Sequence, residues 1–353
     1  MNWDDKPPDL DDLASKVIES YYLETQEGLF FAVKGLEHPP DRFIAVLRYA
    51  PDPEEGDREK GGKTYRRLYH FDEQEQLIRT AFPQYLVYDP VFQAKLQSVP
   101  RSMIRHIYDP RCRLQELAQE LDKAPIEEDA LAFTCLLQNE AQVPLSVFGI
   151  TGSLLVGLHT GHSDLDVAVF GAENCRKVYQ ASRRILNSQS SAEFHRLDDR
   201  GLEELYAQRV QDTHIEFQEF AALEKQKVNQ GIFRERPYFI RFVKEAHEAG
   251  GNYGQQRYTP LGRAAIKASI ADDQDAIFTP CLYRLSGVRI LEGPQVSNLN
   301  EIVSFRGRFC EQARPGDSVR AEGTLERIHN STGDIRYRLL LGNFPEDSMI
   351  GWR

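Results

Sequence analysis

Two short stretches of this 353-residue sequence combine residue types that can do chemistry on phosphate. The first is Phe148-Gly149-Ile150-Thr151-Gly152-Ser153. The second, after a gap of ten residues, is Asp164-Leu165-Asp166-Val167-Ala168-Val169. On a β-strand successive side chains point to opposite faces, so Asp164, Asp166 and Ala168 share one face and Leu165, Val167 and Val169 the other. Two carboxylates on one face repel unless a cation lies between them, and hard divalent ions such as Mg²⁺ or Mn²⁺ take such oxygen ligands. Ions held by paired carboxylates can stabilise both the attacking and the leaving oxygen of a phosphoryl transfer. Gly152 lets the backbone approach a phosphate closely. A short helix expected over 153–159 would turn its N-terminal N–H groups toward that phosphate, with Ser153 as cap or donor.

The elements that must position these groups are legible in outline. Residues 145–170 read as strand, Gly-Ser turn, short helix, turn and second strand, with a helix following over 173–186. Upstream, Asp109-Pro110 is a cap and first-turn pair for a helix carrying Leu114, Leu117 and Leu121 at helical spacing. A second helix starts near Pro125 and runs to Asn139. Before these, β-rich runs at 28–35, 41–49 and 64–71, a short helix over 72–79 and a strand at 84–88 suggest a small α+β unit. After Tyr253, short runs at 277–285, 301–309, 318–327 and 335–341 alternate with turn signals, as in a small barrel or sandwich. The expected organisation is α+β and multidomain: an N-terminal α+β domain (1–124), a central mixed sheet with helices (125–252) and a mostly β, barrel-like C-terminal domain (253–353).

The pattern apolar-Gly-Ser, a gap of about ten, then Asp-apolar-Asp-apolar resembles the signature of the DNA polymerase beta nucleotidyltransferase superfamily. Ser163 before Asp164 fits it, and Thr151 stands where an apolar residue is usual. As a whole the chain resembles the large predicted nucleotidyltransferases known mainly from archaea. The resemblance implies a nucleotidyltransferase-type central domain that moves a nucleoside monophosphate from a nucleoside triphosphate such as ATP to an acceptor: RNA or another nucleic acid, a protein or a small molecule. It implies Asp164 and Asp166 as catalytic metal ligands for Mg²⁺ or Mn²⁺, and Gly152 and Ser153 as the nucleotide cradle.

The resemblance also implies a third carboxylate on a later strand, the general base. Glu216 is one candidate, although Thr213-His214-Ile215-Glu216 also reads as a capping box before a helix running toward Lys227. The strand at 237–243 carries Arg241 instead, either a triphosphate contact or a solvent-facing strand residue, and Glu245 lies just beyond its end. Without a clear third acid, the alternative is a nucleotidyltransferase fold with little or no catalysis, acting as a nucleic-acid or protein binding module.

Composition narrows the rest. A net charge of −11 excludes a generally basic nucleic-acid coat. After Gly231 the sequence turns locally basic, with Arg234, Arg236, Arg241, Lys244, Arg257, Arg263 and Lys267 among Phe233, Tyr238, Phe239, Tyr253 and Tyr258. That stretch fits either a single-strand binding surface or a strand with an apolar inner and a charged outer face. The acids from Asp4 to Asp12 and over 52–59 read as solvated surface, and Asp272, Asp273 and Asp275 as a structural acidic turn. His159 and His162 flank the turn before the carboxylates. Five cysteines without a CxxC pair indicate buried or half-buried free thiols. The acidic start and the lack of an apolar stretch long enough for a bilayer point to a cytoplasmic protein without a membrane partner.

Overall fold

The computed structural model describes residues 16–188, 192–210 and 215–352. The acidic run from Asp4 to Asp12, Thr213 and His214 lie outside them. The described residues form an α+β fold of three sheets and seven helices.

The first sheet contains β1 (Tyr22–Thr25), β2 (Phe30–Val33), β3 (Arg42–Pro51), β4 (Arg58–Lys60), β5 (Lys63–Arg67), β6 (Leu86–Asp89), β7 (Ala94–Pro100) and β8 (Ile104–Tyr108), in the order β4-β5-β3-β2-β1-β8 with β7 joining β3 to β6. Strand β5 stops at Arg67, and helix α1 (Phe71–Ala81) begins four residues later, so the aromatic run expected as strand to Phe71 is split between the two.

Helix α2 (Pro110–Gln119) starts where the sequence placed it, with the Asp109 side chain accepting from the Arg111 N–H at 2.8 Å. Its Leu114 and Leu117 pack into the same core as α3 (Pro125–Ala141) and the central sheet. That sheet runs β11-β12-β13-β10-β9, from β9 (Phe148–Ile150), β10 (Leu165–Phe170), β11 (Phe194–His195), β12 (Gln230–Phe233) and β13 (Arg236–Val243). Strands β10 and β13 are parallel, while β9 and β12 run antiparallel to their neighbours. Helix α4 (Gly152–Val156) is shorter than expected because Gly157, at φ +65, closes it. Helices α5 (Ala172–Ser188), α6 (Asp199–Arg209) and α7 (Phe217–Glu224) complete this part.

The faces of β10 decide what the site looks out on. Leu165, Val167 and Val169 bury against α3 and α5. Ala168 and Phe170, on the other face, bury against Leu23, Phe31 and their neighbours in the first sheet. The carboxylates share this second face, so they look toward the first sheet and not toward bulk solvent.

The third sheet contains β14 (Gln256–Asp275), β15 (Cys281–Glu292), β16 (Leu299–Ser304), β17 (Ser318–Asn330), β18 (Ile335–Leu341) and β19 (Ser348–Trp352). Its pairings run β14-β15-β16-β18-β17 and return to β14, with β19 added on β17, giving a barrel-like sheet around its own core. Asp272, Asp273 and Asp275 end the long strand β14 and do not form a separate turn: Asp273 pairs with Arg314, and Asp275 with Lys244 and Arg176. Buried Glu311 fastens the barrel to the central sheet, accepting from Tyr179 Oη and from the N–H groups of Val228 and Asn229. Cys175, Cys281 and Cys310 are buried and Cys135 half-buried, whereas Cys112 is exposed. Among the described residues no helix is long and apolar enough to cross a membrane.

Candidate active site

Gly152 is the structural hinge of the site. It sits at φ +66, a backbone state that costs an L-residue energy, and a Cβ there would collide with the Asp166 carboxylate. The Thr151 N–H donates to the Asp166 carbonyl at 3.0 Å, which fixes the turn against β10. The polar side chain at 151, the departure noted in the sequence, has a partner: Thr151 Oγ1 donates to the Ser20 carbonyl at 2.7 Å. This draws the segment before β1 to the edge of the site.

The loop back to the carboxylates is also fixed. Arg58 Nη1 donates to the Leu158 carbonyl at 2.6 Å, and Lys60 Nζ to the Val156 carbonyl at 2.6 Å. Two cations of the β4–β5 hairpin thus close the C-terminal end of α4, where free carbonyls favour positive charge. Ser163 Oγ accepts from the Thr160 N–H at 2.9 Å and holds the turn that delivers Asp164.

Asp164 and Asp166 both line a cavity of about 740 Å³ that is walled by all three sheets. Burial first, then the neighbouring Asp166 charge, push the Asp164 carboxyl up to about 6, against the pull of Arg67, Arg209 and Arg58. Eleven Lys and Arg residues line the cavity against seven Asp and Glu. A chain with a net charge of −11 therefore concentrates positive charge on this one surface.

The remaining expected residues separate. Arg241 lines the cavity, beside Ala168 in register, and its Nη1 pairs with Glu19 at 3.2 Å. Ser153 is buried in the first turn of α4 and does not form part of the cavity wall. Glu216 is exposed, sits at the start of α7 and does not reach the cavity. Its capping-box partner Thr213 lies outside the described residues. Glu245 caps the turn after β13 and pairs with Arg111, also away from the cavity. In register, the residue beside Asp166 on β13 is Phe239, so the neighbouring strand offers no carboxylate there. Among the described residues no group of three His, Cys, Asp or Glu is gathered to hold a metal. His159 is half-buried, with its imidazole pushed to lower pKa by burial, and His162 is exposed; neither lines the cavity.

The basic stretch after Gly231 is largely neutralised within the fold. Arg234 and Arg236 pair with Asp129, Lys244 with Asp275 and Arg263 with Asp347, while Phe233 and Tyr238 are core residues. The strand with an apolar inner face is the better description there.

Sequence reasoning missed the groups supplied from the first sheet. Glu19, buried, accepts from Lys34 Nζ at 2.8 Å and from the Gly35 N–H at 2.8 Å, besides its pair with Arg241. Burial pushes the Lys34 amine to lower pKa while Glu19 opposes that shift. Arg48 and Arg67 join the wall from β3 and β5. No local motif marks these residues: Glu19 meets Lys34 fifteen positions on but Arg241 more than two hundred positions on, and the carboxylates that feel the Arg67 charge lie about a hundred positions away.

No family model matches the chain. It is 27% identical over 332 residues to an uncharacterized protein of Methanocaldococcus jannaschii, a match covering 92% of this chain and 95% of that one. No solved structure matches.

Proposed function

We propose that the protein binds a nucleoside triphosphate with Mg²⁺ or Mn²⁺ in this cavity and transfers the nucleoside monophosphate to an acceptor. The observation that carries this reading is the carboxylate pair at the start of β10, Asp164 just before it and Asp166 within it and packed against Gly152, facing a cavity otherwise rich in arginine. The donor set suits the ion: Mg²⁺ takes one or two carboxylates and completes its shell with phosphate oxygens and water. Asp164 and Asp166 would hold it, and a bound cation would offset the burial, and then the repulsion by Asp166, that raise the Asp164 pKa. The metal's contribution would be to neutralise charge developing on the phosphate oxygens.

The rest falls to the chain. The Gly152 turn keeps the backbone clear of the carboxylates, and the arginine-lined walls hold phosphate charge. An acceptor hydroxyl oxygen forms a bond to the α-phosphorus, the bond from that phosphorus to the β-bridging oxygen breaks, and pyrophosphate leaves with the electron pair. The hydroxyl proton passes to water in the cavity, since among the described residues no third carboxylate joins the pair.

That last feature favours a second reading, in which the same site binds nucleotide and metal without turnover. Phe239 beside Asp166, and the Arg241–Glu19 pair next to it, occupy the strand from which a general base would act. Incubation with labelled nucleoside triphosphates, Mg²⁺ or Mn²⁺ and pooled RNA, with Asp166→Asn as control, separates the two. Transfer that depends on Asp166 supports the enzyme. Metal-dependent binding without transfer to RNA, protein or small-molecule acceptors supports the binding module, and label transfer that survives Asp166→Asn rejects the assignment of this residue.

A further inference from the structure

We infer that the first sheet carries a nucleotide-recognition wall opposite the carboxylates, with Arg48 and Arg67 contacting phosphate and Tyr69 and Phe71 stacking on the base. The inference rests on the proposed function for the identity of its ligand class, a nucleotide unit.

Two independent observations lead to it. The first is unpaired charge. Several other arginines of the cavity have acidic partners: Arg209 pairs with Glu224, Arg241 with Glu19, Arg336 with Glu301 and Arg338 with Glu326. Arg48 and Arg67 have no carboxylate at ion-pair distance among the described residues. Arg67 Nε is buried without a hydrogen-bond partner, a state that an incoming acceptor oxygen would relieve. Its charge acts on both carboxylates of the pair, placing it at the same end of the cavity. Arg48 is aimed by a backbone irregularity. Phe30 faces Tyr49 and Phe31 faces Leu47, so Arg48 is the extra residue of a β-bulge. Bulges commonly re-aim a side chain beside a site. Guanidinium groups suit phosphate because their forked donors match its oxygens.

The second observation is exposed aromatic surface. Tyr69 and Phe71 are 51% and 41% exposed, and both belong to the cavity wall. The Arg67 guanidinium lies over the Tyr69 ring at 4.6 Å from its centroid, which orients the ring from one side. Large aromatics left open within a cationic cavity match the base of a nucleotide, whose π-face stacks on such rings. A protein acceptor or a small neutral acceptor would need neither feature. The source of the nucleotide unit is either the free triphosphate or the terminal nucleotide of a single strand.

The test uses the full chain and two probes, mant-ATP and a short fluorescein-labelled oligo(U), with and without millimolar Mg²⁺. Tyr69→Ala and Phe71→Ala alter exposed side chains and leave the core intact, while Arg67→Met and Arg48→Met remove the phosphate contacts; thermal melts check each fold. Stacking losses of roughly 5- to 100-fold in affinity are expected for Tyr69→Ala and Phe71→Ala, and losses of about tenfold or more for Arg67→Met and Arg48→Met. These losses should persist without Mg²⁺, whereas the loss in Asp166→Asn should appear only with it. Loss confined to mant-ATP assigns the wall to the triphosphate, and loss confined to oligo(U) assigns it to a strand terminus. Unchanged binding by all four wall variants, with Asp166→Asn impaired, overturns this inference and leaves the proposed function standing. Failure of the unsubstituted protein to bind either probe rejects both.

Discussion

Replacing Asp164 by asparagine tests the electrostatics of the site without requiring a ligand. In the folded chain the Asp164 carboxyl is raised from 3.8 to about 6, by burial and then by Asp166. A raised acid pKa means that the folded state holds its proton more tightly than the unfolded state. Well below pH 3.8 the group is protonated in both states and costs nothing. As pH climbs from about 4 to 6, stability is lost, and above that the loss is constant. The difference in pKa corresponds to about 3 kcal/mol at neutral pH. Asparagine keeps the shape and removes the charge, so Asp164→Asn should be more stable than the unsubstituted chain at pH 8 by up to that amount. With an ordinary unfolding entropy for a unit of 353 residues, this is a rise in melting temperature of about 4 °C. The gain should fade as the pH is lowered toward 4. Millimolar Mg²⁺ should raise the melting temperature of the unsubstituted chain and leave the variant unmoved, since an ion that binds only the folded site stabilises it. Differential scanning fluorimetry across pH 4–8, with and without Mg²⁺, measures all of this. A variant that melts lower than the parent at pH 8, or whose gain is the same at pH 4, would refute the reasoning.

Gly152→Ala should destabilise the chain by about 1–2 kcal/mol from backbone strain alone, and more from collision with Asp166, as a lowered urea midpoint; a neutral effect would mean that the turn does not sit at positive φ. Glu19→Gln should cost roughly 3 kcal/mol, the low end for breaking a buried pair because Lys34 and Arg241 keep some access to water. Chemical denaturation reads that loss, and a loss under 1 kcal/mol would show that Glu19 does not neutralise them. Glu216→Gln should leave metal-dependent nucleotide binding within about twofold by isothermal titration, because its side chain lies outside the cavity; a tenfold loss would place it at the site after all.

The sequence exposed what is local and hid what is assembled. The alternation Asp164, Asp166, Ala168 against Leu165, Val167, Val169 is written in six neighbouring residues, and the structure buries the apolar set in the central core and turns the other toward the first sheet, as period two requires. Asp109-Pro110 marked α2, and Pro125 marked α3, because caps are short-range chemistry. The long strand β14 was invisible: its twenty residues carry Gly262, Pro260 and several charges, and it is held by pairing to β17, about fifty to seventy positions away. Phe71 looked like the end of a strand because aromatic residues favour sheets, yet it opens α1. At the site, Gly152 and the two aspartates were legible. Glu216 was not, since whether a carboxylate caps a helix or faces a cavity depends on tertiary placement. Glu19, Arg48 and Arg67 reach the cavity only because the first sheet packs on the carboxylate-bearing face of β10, a contact that no local pattern encodes.

The central claim is that Asp164 and Asp166 together bind a divalent cation carrying a nucleotide. Crystals soaked with Mn²⁺ and a non-hydrolysable nucleoside triphosphate analogue address it most directly. The account expects an anomalous peak about 2.1 Å from oxygens of both carboxylates, shared with a phosphate oxygen and lost in Asp166→Asn. An analogue bound elsewhere with no peak at the pair, or a peak unchanged by the substitution, would contradict it.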